Sequence, residues 1–188
     1  MNTKAKKIVG IGLLTAIVVA LQLLGGGIRF GVFSISLVLI PIVVGAAVYG
    51  WKAGAWLGFI FGGAVLLSGD AGAFLAVNVP GTIFVVLLKG TACGLGAGAV
   101  YTVLHKFNKW VAVFCSALVC PIINTGIFLL GCYAFFLPTV TAWGQSFGYE
   151  NVGAYLIFGM VGINFLLEVG VNLVLVPVIT RLIRIGQQ

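Results

Sequence analysis

Apolar residues in this chain come in long unbroken blocks, with polar residues gathered in short gaps between them. Blocks long enough to cross about 30 Å of hydrocarbon as helices fall at residues 8–24, 33–49, 53–69, 80–104, 110–136 and 153–182. Strands of a membrane barrel would alternate apolar and polar positions, and these blocks do not. The pattern predicts an all-α integral membrane protein, a single domain over residues 1–188 with six transmembrane helices. An even number of crossings puts both termini on one side. The apolar run behind Lys4, Lys6 and Lys7 reads as a retained first helix, since no small-residue cleavage site leads from it into a soluble domain.

Prolines punctuate these blocks. Pro80 suits the first turn of the fourth helix, where its missing N–H is no loss, and Pro138 closes the fifth. Pro41, Pro121 and Pro177 fall inside predicted spans and are expected to kink or interrupt them. Two connections on the side away from the termini carry most of the loop content. One is GGGIRFGVF at 25–33; the other, LPTVTAWGQSFGYENV at 137–152, reads as an interfacial aromatic belt or as a lid over a binding site.

Composition narrows the class. Hydrophobic residues make up 62% of the 188 and charged residues only 7%, against about a quarter charged in soluble domains, so a soluble globule is excluded. The net charge of +7 would point to nucleic acid in a soluble protein, but its distribution encodes topology instead. Lys4, Lys6, Lys7, Lys52, Lys106, Lys109, Arg181 and Arg184 all fall on one side, whereas Arg29, Asp70 and Glu150 fall on the other. That predicts N-in, C-in orientation in a plasma membrane, with the lipid bilayer as partner and no nucleic acid. With every connection short, no catalytic or nucleotide-binding domain fits, so any energy source comes from elsewhere.

Few residues could carry chemistry. Cys93, Cys115, Cys120 and Cys132 sit in apolar runs without ligand spacing and read as small buried hydrophobes. His105 lies beside Lys106 with no carboxylate to orient it, and there is no HExxH or Walker-type loop. The expectation is no enzyme, no metal and no cofactor. Small residues recur every fourth position on three helices: Gly12, Ala16 and Ala20 on the first, Gly50, Gly54, Gly58 and Gly62 on the third, and Gly90, Gly94 and Gly98 on the fourth. Such stripes let helices approach closely, either within the bundle or against a separate subunit.

Polar residues within the spans are Lys89, Asn124, Asn164, Glu168 and Asn172. The last three are spaced by four and share one helix face. Lys89 and Glu168 are opposite charges at membrane depth, each costly alone, and are predicted to lie close together. Their pairing is either a device that fixes helix register or one wall of a ligand site.

Taken with AIVVA on the first helix, ISLVLIPIVVGAAVYGWKAGAWLGFIFG across the second and third, and PGTIFVVLLKGTACGLGAG in the fourth, these features resemble the substrate-binding S components of energy-coupling factor (ECF) vitamin transporters. The arrangement Pro41, Gly45, Tyr49, Gly50, Gly54 is the most telling part. The resemblance spans essentially the whole chain. It implies a prokaryotic membrane protein that captures a vitamin or related micronutrient from outside and does no chemistry, working with a transmembrane T subunit and two cytoplasmic ATPases. It also implies that the stripe with Gly12, Ala16 and Ala20 contacts the T subunit, and that the S component topples in the bilayer to release its cargo. Carried onto this sequence, it assigns Arg29 and Phe30 to a gating loop, Asn78 to the connection before the fourth helix, and Asn124, Tyr133, Asn164 and Glu168 to substrate binding, to which Lys89 is added as a partner for a ligand carboxylate. SLVLIPIVVGA resembles pantothenate-type more than riboflavin-type members, which ranks pantothenate first. The alternative from another class is a stand-alone secondary transporter or channel for a small metabolite, which calls for an inverted repeat or a continuous polar path.

Overall fold

A computed structural model of the chain describes residues 3–25, 29–30, 33–34 and 37–186. Its helices are α1 (Thr3–Gly25), α2 (Leu39–Tyr49), α3 (Trp51–Ser68), α4 (Gly72–Leu75), α5 (Val79–Leu104), α6 (Lys109–Phe135), α7 (Leu137–Ser146), α8 (Val152–Ala154), α9 (Gly162–Val174) and α10 (Val176–Gly186), with a π-helical stretch at Tyr155–Val161. Between α1 and α2, Arg29–Phe30 pairs antiparallel with Phe33–Ser34.

Four of these helices are long and apolar enough to cross a membrane, and five do so if the bent pair Val152–Val161 and Asn164–Val174 counts as one span. The second predicted span is shorter than the apolar block from which it was read. Its helix covers 11 residues, a rise of about 16 Å, because the apolar block 33–49 starts in extended backbone and only then turns helical. Eight of those residues, from Leu39 to Ala47, are buried, so α2 is a central strut. The sixth predicted span, 153–182, is not one helix. The π turn bends it by 45°, and it breaks again at Leu175 before Pro177, which has no N–H to give to the preceding turn. Pro41 also proves harmless, since it lies in the first turn of α2; of the three suspect prolines only Pro121 sits inside a helix. The stretch 137–152 is largely helical rather than loop: α7 restarts directly behind α6 with Pro138 in its first turn.

The glycine stripes of α3 and α5 face each other. A Cβ on Gly54 would strike the carbonyl of Gly94, one on Gly58 the carbonyl of Gly90, one on Gly62 would lie 2.8 Å from the carbonyl of Val86, and one on Gly98 2.5 Å from Trp51 Cα. Positions rise along α3 as they fall along α5, so the two run antiparallel with backbones in contact. Dispersion and close approach hold helices together where lipid removes the hydrophobic drive. Gly50, with φ of 94°, permits the reversal from α2 into α3, a left-handed conformation that a side chain would strain.

The same contacts bring the basic residues to one end. Gly10 meets Tyr49, Gly186 meets Val48 and Gly98 meets Trp51, which gathers the start of α1, the end of α2, the start of α3, the ends of α5 and α10, and, through the short link 105–108, the start of α6. One hydrophobic cluster, including Ile42, Leu57, Ala97, Val113 and Ile179, fills this half. A second, built from Phe74, Cys132, Phe136, Val140, Tyr155 and Met160, fills the opposite end.

Candidate functional site

A cavity opens at the seam of the two clusters. Its walls come from both: Phe61, Val65 and Val86 from the first, Phe74, Cys132 and Met160 from the second. The polar groups collected here are Gln22, Asp70, Thr82, Lys89, Asn124, Thr125, Asn164 and Glu168. Lys89 stands ten residues into α5, about 15 Å from its start, so the cavity reaches deep from the end opposite the basic one.

Lys89 and Glu168 do share this cavity, as their charges require, and Lys89 lies within electrostatic reach of both Glu168 and Asp70. The ammonium is also cushioned by aromatic faces, 5.8 Å from the Phe61 ring centroid and 5.4 Å from that of Phe128. Such contacts are worth about 2 kcal/mol when desolvated. Asn124 and Asn164 each present an Oδ1 that is buried and has no hydrogen-bond partner within the protein. A carbonyl oxygen left so costs about 1–3 kcal/mol. Asn172 shares the helix face of Asn164 and Glu168 but lies two turns beyond Asn164 on α9, buried and outside the cavity lining.

Sequence reasoning missed four of the polar wall residues, Gln22, Asp70, Thr82 and Thr125, of which the first two are bonded to each other. Gln22 is buried on a helix that otherwise buries only Val18 among its described residues. Its Nε2 donates to Asp70 Oδ2 at 2.6 Å, and Ser68 Oγ donates to the same carboxylate oxygen at 3.1 Å. The signal was present, since a glutamine inside the apolar block 8–24 needs a polar partner; Asp70 read only as a loop charge. This bond ties α1 to the cavity wall. We predict that Gln22→Leu loosens α1 and costs about 1.5–3 kcal/mol, the range for a hydrogen bond to a charged group, to be measured as a lower melting temperature in detergent.

The remaining assignments scatter. Asn78 caps α5, its Oδ1 accepting from Gly81 N at 3.0 Å, and Tyr133 is 63% exposed; neither is in the cavity lining. For Arg29 and Phe30 the backbone pairing is described, while their side chains lie outside the described residues. Gly12, Ala16 and Ala20 form an exposed stripe on α1, on the side away from Gln22, with no neighbour within 4 Å of a Cβ on Gly12. The four cysteines are free thiols, three buried and Cys115 half-buried. Trp143, on α7, packs edge-on against Phe74 at 5.5 Å between centroids, and Phe74 meets Phe128 and Phe136 in the same way. Offset and edge-on ring pairs of this kind add about 0.5–1.5 kcal/mol each beyond burial, so α4 and α7 are held against the cavity by an aromatic cluster.

A deep pocket set among rings, with two unpartnered asparagine oxygens among its lining residues, inside a bundle of apolar helices, is the kind of site with which a membrane protein binds a small molecule. The family model for the substrate-specific component of ECF transporters matches residues 6–180, and the chain belongs to that family. Comparison with curated proteins and with solved structures returns no match. Members of the family are substrate-binding subunits of membrane transporters, not enzymes, and the chain accordingly serves substrate binding in ECF-type uptake of vitamins or micronutrients.

Proposed function

We propose that the cavity between the two hydrophobic clusters captures one vitamin-like molecule from the outer side of a prokaryotic plasma membrane, with pantothenate the first candidate. The observation that carries this reading is that Asn124 and Asn164, whose buried Oδ1 atoms have no partner within the protein, both line a cavity that also holds Lys89. Hydroxyl and amide donors of the ligand satisfy the two oxygens, and its carboxylate meets the Lys89 ammonium in a charge-assisted bond. Glu168 sets the position of Lys89, and the rings of Phe61 and Phe128 flank its ammonium. Arg29 and Phe30 belong to the segment that closes over the site.

In this reading the chain spans the membrane six times, with α2 as a short buried crossing and the basic end in the cytoplasm. The exposed stripe of Gly12, Ala16 and Ala20 docks a transmembrane T subunit, and two cytoplasmic ATPases bound to that subunit supply the energy for release.

The test is native mass spectrometry of the purified protein for a co-purifying small molecule, followed by titration with pantothenate and a panel of other vitamins. Trp143 fluorescence reports binding through its contact with Phe74. One bound vitamin per chain supports the reading; no binding across the panel, with ion-driven transport by the chain alone in proteoliposomes, replaces it with a secondary carrier. In the same assay Ala16→Leu with Ala20→Leu is expected to leave vitamin affinity within twofold of wild type, about 0.4 kcal/mol, while abolishing co-purification with the T subunit.

A further inference from the structure

Among the described residues, four buried side-chain nitrogen or oxygen atoms have no hydrogen-bond partner within the protein, and all four lie on α6 and α9. They are Ser116 Oγ and Asn124 Oδ1 on the first helix, and Asn164 Oδ1 and Asn172 Nδ2 on the second. The cargo completes Asn124 and Asn164. It does not reach Ser116 and Asn172, which are 0% and 2% exposed and stand outside the cavity lining. Ser116 also departs from the habit of the bundle. Thr15, Thr91, Thr102 and Thr180 each donate their hydroxyl to the carbonyl four residues back on their own helix, a bond open to any helical serine, and Ser116 does not make it.

The register of the two helices brings these groups to one level. α6 packs against α9 and leads away from the basic end, whereas α9 leads back to it through α10. Ser116, Cys120 and Asn124 are spaced by four on α6, as are Asn164, Glu168 and Asn172 on α9, so each set shares one helix face. Asn124, Asn164 and Glu168 line the cavity together. One turn below Asn124, Cys120 lies within electrostatic reach of Glu168. Leu173, the neighbour of Asn172, packs against the first hydrophobic cluster, to which Val113 and Ala117 belong. The antiparallel register therefore sets Ser116 level with Asn172, about 6 Å below Cys120 and Glu168.

We propose that α6 and α9 hold a bound water beneath the cavity, bridging Ser116 Oγ and Asn172 Nδ2. The chemistry of the two groups selects it. No bond joins them directly, and the bilayer has no donor or acceptor to offer at this depth. A cation is not ligated by an amide N–H, and an anion is repelled by the Glu168 carboxylate one turn away. Water accepts from the Asn172 amide and donates to Ser116 Oγ, so both groups are satisfied by one small molecule. The site sets this seam apart from the crossing of α3 and α5, where glycines bring backbone against backbone. α9, which carries Asn164 and Glu168, is then joined to α6 through exchangeable bonds. The water depends on these two helices alone and not on the identity of the cargo.

The experiment is brief X-ray radiolysis of the full chain, without cargo, in detergent and heavy-oxygen water, read by mass spectrometry of its peptides. Radicals formed from a bound water oxidise the thiol nearest to it. In wild type, Cys120 is expected to take up heavy oxygen along with Cys132 of the cavity, although both are buried. In the variant carrying Ser116→Ala and Asn172→Leu, Cys120 should lose its label while Cys132 keeps it. Circular dichroism checks that the variant is folded, and Ser116→Ala alone, which removes a single oxygen, serves if the pair does not fold. An unlabelled Cys120 in wild type overturns the proposal. So does a label on Cys120 that survives both substitutions, which would trace it to water in the cavity above. Melting temperature gives a second reading: Ser116→Ala is expected to lower it, because a bonded hydroxyl is lost, and a rise would mean that the group is simply unsatisfied and the site dry.

Discussion

Gly58→Val is expected to cut the yield of folded protein sharply. The added Cβ would fall on the carbonyl oxygen of Gly90, and the neighbouring crossings at Gly54 and Gly62 leave α3 no room to slide. Forcing extra methyl groups into a packed core costs about 1–3 kcal/mol, occasionally more. Here the obstacle is backbone, which cannot change rotamer, so the upper end applies. Most of a typical stability of about 5–15 kcal/mol would not survive a second such change, and Gly58→Val with Gly94→Val should leave none. The measurement is the monodisperse peak in size-exclusion chromatography of the detergent extract. Gly63→Ala, on the same helix but with open space around its Cβ, is the control and should behave as wild type. A normal peak for Gly58→Val would mean that α3 and α5 do not cross at these glycines.

Asn124→Leu should separate binding from stability. Asn124 is 5% exposed and its Oδ1 has no partner within the protein, so replacing it with an apolar side chain of similar size removes an uncompensated buried group. Without ligand, the melting temperature is expected to stay or rise, since an unsatisfied buried oxygen costs about 1–3 kcal/mol. Affinity for the captured vitamin should fall by about tenfold or more, because the bond to the ligand is then lost outright. Asn164→Leu is expected to act in the same direction. If melting temperature and affinity fell together, Asn124 would be a structural residue, and the oxygen would have found a partner inside the fold.

Much of this could be read before any coordinates. The glycine spacing on α3 and α5 announced a close crossing, although it left open whether the partner helix was internal, and the mutual contacts of Gly54 with Gly94 and of Gly58 with Gly90 answer that. Lys89, Asn124, Asn164 and Glu168 were identifiable because polar groups in an apolar block have to meet something, and all four line one cavity. Asn78 and Tyr133 went elsewhere. An asparagine before a proline-started helix is first of all an N-cap, and Tyr133, about 100° around its helix from buried Cys132, is turned off the buried face. Gln22 went unremarked because a single amide hardly alters the hydropathy of its block.

That the protein is helical and membrane-embedded, where its charges lie and which family it belongs to were all legible in the order of its residues. Those properties follow from composition, block length and residue order, which are local. Tertiary structure decided the rest: that α2 is short and buried, that the last apolar block breaks twice, and that Gln22 and Asp70 join residues from α5, α6 and α9 in one cavity. Hydropathy records how much a residue avoids water. It does not record which neighbour lies across the gap, and in an apolar bundle that neighbour determines whether a polar group is paired, unsatisfied or available to a ligand.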